Sequence, residues 1–182
     1  MVRSPQRVQQ LEATLVEVRR RLTDPEHRPR PTQPRIPIVV GAMSSPGLQV
    51  AARHADVIAF SGLLPVRRAP AGTFTLASAQ PTRARGVEVR RVAAGRAYRS
   101  DALLQAIVIG KDPAAAAARL AEPFETVSAE QLLHSPFVLL ARDRSNAAEI
   151  IAERREHFGF DSFVTHEPFL DELGSLIAAQ RG

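Results

Sequence analysis

The chain has 182 residues and a mass of 19.8 kDa, with 45% hydrophobic and 24% charged residues. That composition supports a buried core and excludes a disordered chain. Cysteine is absent, which excludes a disulfide framework, a thiolate nucleophile and a cysteine-ligated metal site. The 24 basic and 19 acidic residues leave +5 and a pI of about 11.0, but the signs interleave. Glu12 and Glu17 precede Arg19-Arg20-Arg21, and Glu153 and Glu156 bracket Arg154-Arg155. Such runs read as solvated helix faces, so nucleic acid is not expected as a partner. No apolar stretch reaches the roughly 20 residues that span a bilayer, and the amino terminus lacks the apolar core of a signal peptide. A cytoplasmic protein without membrane contact is expected. Lys111 is the single lysine beside abundant arginine and alanine, the bias of GC-rich, bacterial coding.

Residues 4–23 open with Ser4-Pro5 and place Val8, Leu11, Leu15, Val18 and Leu22 at helical spacing, which predicts a capped amphipathic helix. Five prolines between positions 25 and 37 then forbid regular structure. The apolar run 36–41 reads as a strand covered on both faces. Ser45-Pro46 starts a helix carrying Leu48, Ala51, Ala52 and Ala55, and 56–62 is a second strand. Residues 63–80 read as a long functional or mobile loop. A weak helix over 82–94 precedes a third strand at 103–109, and Asp112-Pro113 caps an alanine-rich helix. Ser128 and Gln131 form a capping box. A short strand at 137–140, a helix over 146–158 stopped by Gly159, a last strand at 162–165 and a terminal helix opened by Glu167-Pro168 complete the chain. The expected fold is α/β, with parallel strands alternating with helices.

Small residues at a strand's carboxyl end let a ligand approach the backbone, and the following helix presents free N–H groups to an anion. Gly41-Ala42-Met43-Ser44-Ser45-Pro46 has that pattern; an ordinary turn with a serine cap has it too. Phe60, Ser61 and Gly62 end the next strand at the same face, although Phe60 is equally suited to the core. His166 and Glu167 form an adjacent pair able to do acid-base work, or Glu167 simply favours a helix start. His54, His134 and His157 fall within helical patterns. No metal site is expected.

Residues 39–42, 51–56 and 60–62 (Val-Val-Gly-Ala, Ala-Ala-Arg-His-Ala-Asp and Phe-Ser-Gly) resemble the luciferase-like oxidoreductases. The stretches 154–160 (Arg-Arg-Glu-His-Phe-Gly-Phe) and 164–168 (Val-Thr-His-Glu-Pro) resemble the end of members that use the deazaflavin coenzyme F-420. The resemblance implies a single partial-barrel domain over 1–182, with a helix to residue 23, a connector over 24–35 and a strand-helix core over 36–182. It would supply strands five to eight of a TIM (β/α)8 barrel. It implies hydride transfer with coenzyme F-420, or flavin mononucleotide (FMN) in a monooxygenase component. It places the cofactor's phosphate end at Gly41, Ala42, Ser44 and Ser45, with Phe60, Ser61 and Gly62 lining the cofactor channel. Where the family shows a glycine-threonine pair, this chain has Ala141-Arg142-Asp143-Arg144, so Arg142 or Arg144 would hold an anion instead, or the arginines are only solvated. Catalytic residues belong mainly to the other half and cannot be transferred. The chain alone is expected to turn over little, completed by a second copy or by a chain carrying strands one to four. The competing reading is a noncatalytic truncated relative that serves as an interaction or phosphate-ligand-binding domain.

Overall fold

The structure, a computed structural model, describes residues 4–179; the side-chain cap expected of Ser4 lies outside the described residues. Helix α1 (Ser4–Thr23) buries Leu15 with Val8 and Leu11 against the first core. Val18 departs from that stripe and is 38% exposed. After the connector come β1 (Val39–Gly41), α2 (Ser45–His54) and β2 (Val57–Phe60). Strands β3 (Leu63–Pro65) and β4 (Phe74–Leu76) lead into α3 (Ala79–Ala93), β5 (Arg99–Leu104) and β6 (Ala106–Ile109). Then follow α4 (Pro113–Ala121), α5 (Ala129–His134), β7 (Val138–Ala141), α6 (Arg144–Phe158) and β8 (Ser162–Thr165). A 3-10 turn (Glu167–Phe169) enters α7 (Leu170–Ala179).

The central sheet has the order β1-β2-β5-β8 with every neighbouring pair parallel, the α/β arrangement expected. The register aligns Gly41, Ala59, Asp101 and Ser162. Because side chains alternate along a strand, Val40, Ile58, Phe60 and Ala102 share one face and pack into a core with α1, α2 and α3. The opposite face carries Val39, Ala59, Asp101, Leu103 and Val164; Val39 is 58% and Val164 40% exposed. This half-open geometry, with β1 and β8 at the two edges, is that of part of a TIM-barrel-like fold.

Asp56 fastens α1 and the connector to the sheet. Its carboxylate accepts from the Ile38 amide at 2.8 Å and pairs with Arg19 and Arg35. Burial pushes this carboxyl up, but the Ile38 amide and the two guanidiniums outweigh it and hold it at about 2.

Five features differ from the sequence reading. The run 36–41, read as a strand covered on both faces, forms β1 with Val39 58% exposed, because the helices of the first core cover only the Val40 face. The run 103–109 is two strands: β5 pairs with β8, whereas β6 pairs in parallel with β7. The chain changes partner at Gln105, whose amide donates to Phe137 O at 2.7 Å, and apolarity alone carries no sign of that switch. The loop at 63–80 contains the antiparallel pair β3–β4. Helix α3 begins three residues earlier than expected, because tertiary packing of Thr82, Gly86 and Val89 compensates its poor propensity. Arg154, read as part of a solvated run, is 8% exposed. Its Nη2 donates to Val138 O at 2.6 Å and to Ser135 O at 3.3 Å, tying α6 to the entry of β7. Burial lowers it to about 10, so it remains charged at neutral pH. The capping box at Ser128 and Gln131, the Asp112 cap and the Gly159 stop form as read.

Candidate functional site at the carboxyl ends of the strands

Parallel strands deliver their carboxyl ends, and the loops that follow, to one rim of the sheet. Here the rim carries 42–44 after β1, 61–62 after β2, Gln105 after β5 and His166 after β8. The Ala42 amide donates to Ala59 O at 3.2 Å, which holds the β1 loop beside the end of β2. The register and this bond bring Gly41, Ala42, Ser44 and Ser45 together with Phe60, Ser61 and Gly62.

Within the β1 loop, Ser44 caps α2: its hydroxyl oxygen accepts from the Gly47 amide at 3.3 Å. A side chain at Gly47 would meet Ser44 Oγ at 3.0 Å and Ala42 Cβ at 3.3 Å, so glycine allows the loop to lie against the first turn. Ser44 and Ser45 are exposed, whereas Met43 is 7% exposed and plugs the core. The Ser45 hydroxyl donates to Glu88 of α3, and Gln49 Nε2 donates to the same carboxylate at 2.7 Å. Bonds from Gln49 and Ser45 hold Glu88 below the usual carboxylate range, with Arg91 and Arg85 adding to the effect. Because Ser45 and Gln49 are one turn apart, Glu88 lies along the flank of α2 that faces α3.

Phe60 lies on the helix-covered face, 2% exposed and 5.8 Å from the Phe160 ring. Its side chain belongs to an aromatic cluster; its main chain reaches the rim. Gly62 has φ of 72°, and a Cβ there would sit 2.2 Å from Phe137 Cγ. Both the left-handed backbone and the close approach of Phe137 demand glycine. Arg142 is exposed beyond β7, its amide bonded to Asn146 Oδ1 at 3.2 Å. The structure does not bring it to the β1 and β2 loops: β7 enters beside Gly62 at Phe137, and Arg142 follows five residues later, about 16 Å along an extended chain.

Gln105 was missed by sequence reading. Its Nε2 donates to Ser61 O at 2.6 Å and its Oε1 lies 3.2 Å from His166 Nε2. A main-chain carbonyl only accepts, which fixes the orientation of the amide and puts the proton of a neutral His166 on Nε2. Asp101 was missed as well. It is 7% exposed on the open face, accepting from Arg99 Nε at 3.0 Å and from the Ser162 hydroxyl at 2.5 Å. The available signal was the alternation Arg99, Asp101, Leu103, which puts two charges and an apolar residue on one face of a strand. Among the described residues no group of His, Cys, Asp and Glu is placed to hold a metal ion. None of their helices is long and apolar enough to cross a membrane.

The chain matches no protein-family profile and no curated protein sequence. Solved structures do resemble it. An F-420-dependent secondary alcohol dehydrogenase, solved with an F-420-acetone adduct, superposes with a TM-score of 0.64 at 14% identity; the match covers 91% of this chain and 57% of that one. An EDTA monooxygenase from Chelativorans sp. BNC1 gives 0.63 at 12% identity, covering 99% and 61%. A long-chain alkane monooxygenase gives 0.52 at 15% identity, covering 84% and 41%. The chain therefore has a fold shared with part of each of these three proteins and spans at most about three fifths of their length.

Proposed function

We propose that this chain is one partial-barrel domain of a luciferase-like oxidoreductase, binding the phosphate end of coenzyme F-420, with FMN as the alternative. The supporting observation is the rim: a parallel half-barrel sheet whose first strand ends in a small-residue loop at the start of a ten-residue helix. The site fits a phosphate on three counts. Ala42 is small enough for close approach, the Ser44 hydroxyl keeps its proton to donate while its oxygen caps the helix, and the helix start favours an anion. Ser45, Ser61 and the main chain of Gly41 lie beside it; Phe60 and Gly62 fix the shape of the wall. Arg142 would act only on a distal, anionic part of the cofactor.

The bound coenzyme supplies hydride chemistry. This chain's residues hold it, and Gln105 fixes the His166 ring. Strands beyond β1 and β8 complete the site. Fluorescence titration with coenzyme F-420 and with FMN tests this reading. Saturable binding of one, weakened about fivefold by Ser44→Ala, is expected; equal, nonsaturable signals for both would overturn it. Binding of simple sugar phosphates as tight as of either coenzyme would favour the phosphate-ligand-binding domain instead.

A further inference from the structure

Beside Gln105, on the side away from the β1 loop, lies a cavity of about 480 Å³. Its floor is Ala106 and Val138 of the β6–β7 pair, its back Leu132 of α5, and its lips Phe74 of β4 and Phe124 after α4. That volume is within the range of small-molecule sites. No charged side chain lines it, although 24% of the chain is charged. The polar groups of its wall are Gln105, Thr73 and Thr126.

The lips are fixed rather than splayed. The Thr75 hydroxyl donates to Thr126 O at 2.8 Å, and the Thr126 hydroxyl donates to Phe74 O at 2.7 Å. These reciprocal bonds tie the hairpin to the segment entering α5. Yet the two aromatic rings at the mouth stay uncovered, Phe124 57% and Phe74 43% exposed. An apolar molecule seated in such a pocket loses contact with water on most sides, and each uncovered ring gains by being covered.

We infer that this cavity binds a neutral, largely apolar small molecule, with Phe124 and Phe74 closing over it. A carboxylate or phosphate is excluded because its charge would be buried without a partner. Gln105 forms the cavity wall and is bonded to Ser61 at the rim. On the oxidoreductase reading above, the ligand is therefore the organic substrate and its class is neutral and apolar; binding itself does not depend on that reading.

The test is titration of the purified chain with the neutral fluorophore N-phenyl-1-naphthylamine, followed by displacement with decanol or decanoate. One saturable site is expected, with decanol displacing the probe at least tenfold better than decanoate. Phe124→Ala, at an exposed position that the fold does not need, is expected to weaken the probe roughly tenfold, the worth of covering one aromatic face. Leu120→Trp, which fills the cavity from α4, should abolish binding. Absent saturation, equal displacement by the two competitors, or an unaltered Phe124→Ala titration would overturn the proposal. So would a dimer that dissociates on Phe124→Ala, since a second copy would then be the occupant. Probe binding without binding of either coenzyme would sink the oxidoreductase reading and leave the cavity standing; coenzyme binding without the probe would do the reverse.

Discussion

The helix-covered side of the central sheet and the β6–β7 region above it are built from the same kinds of element and packed in opposite ways. Below, Ala51, Ala52, Ala55 and Ala102 are fully buried, and Phe60, Phe137 and Phe163 surround Phe160 at centroid distances of 5.8 to 5.9 Å. Small residues let the helices approach, and the rings fill what remains. Above, Leu76, Leu132 and Val138 are buried, but they enclose a void with two phenylalanines left in solvent at its mouth. The chain buries one core fully and leaves a cavity in the other. Stability resides mainly below the rim, and ligand capacity above it.

The largest effect expected from breaking this division is at the junction, Gly62. Gly62→Ala forces a methyl group into Phe137 and keeps a left-handed backbone, at a cost of about 3 kcal/mol. Urea denaturation measures it; a loss under 1 kcal/mol would show that Phe137 moves freely and the two regions are not braced there. Next is Asp56, entirely below the rim. Its carboxyl is held at about 2 from an ordinary 3.8, so its contribution is fully present above pH 3.8 and is lost as pH falls through about 2. The shift corresponds to roughly 2 kcal/mol. Asp56→Asn should remove that amount at pH 7 and flatten the acid limb of the stability curve, without changing the affinity for the apolar probe.

Smaller effects sharpen the upper region. Glu88→Gln removes a negative charge from the flank of α2 and is expected to tighten inorganic phosphate or coenzyme binding about threefold at low salt, an advantage that disappears by 1 M salt. Phe124→Ala should leave stability within about 0.5 kcal/mol while weakening the apolar probe. A larger loss would place Phe124 in the core rather than at a mouth.

How much of this was legible in the sequence follows the same division. The elements below the rim are local statements: the helical stripe of α1, the apolar runs of β1 and β2, Ser45-Pro46 and Gly159 each carry their own signal. The rim depends on contacts between distant segments. Gln105 appears as an ordinary polar interruption in an apolar run, and nothing nearby says that the strand changes partner there and that its amide reaches Ser61 and His166. Arg154 is spelled like a surface charge, yet carbonyls 16 and 19 residues away receive it. Gly62 was singled out as a cofactor residue; its spelling could not reveal that Phe137 already lies against it. The cavity left no local trace, since its lining comes from stretches of chain scattered between Leu63 and Phe169.

The most direct test of the central claim, that the carboxyl rim of this half barrel holds a deazaflavin or flavin phosphate, is one fluorescence titration series. Coenzyme F-420 and FMN are each titrated into the unmodified chain and into Ser44→Ala. The account predicts saturable binding of one coenzyme, competition by millimolar inorganic phosphate and an approximately fivefold loss in Ser44→Ala. Failure of both to bind, or binding indifferent to phosphate and to Ser44, would contradict it.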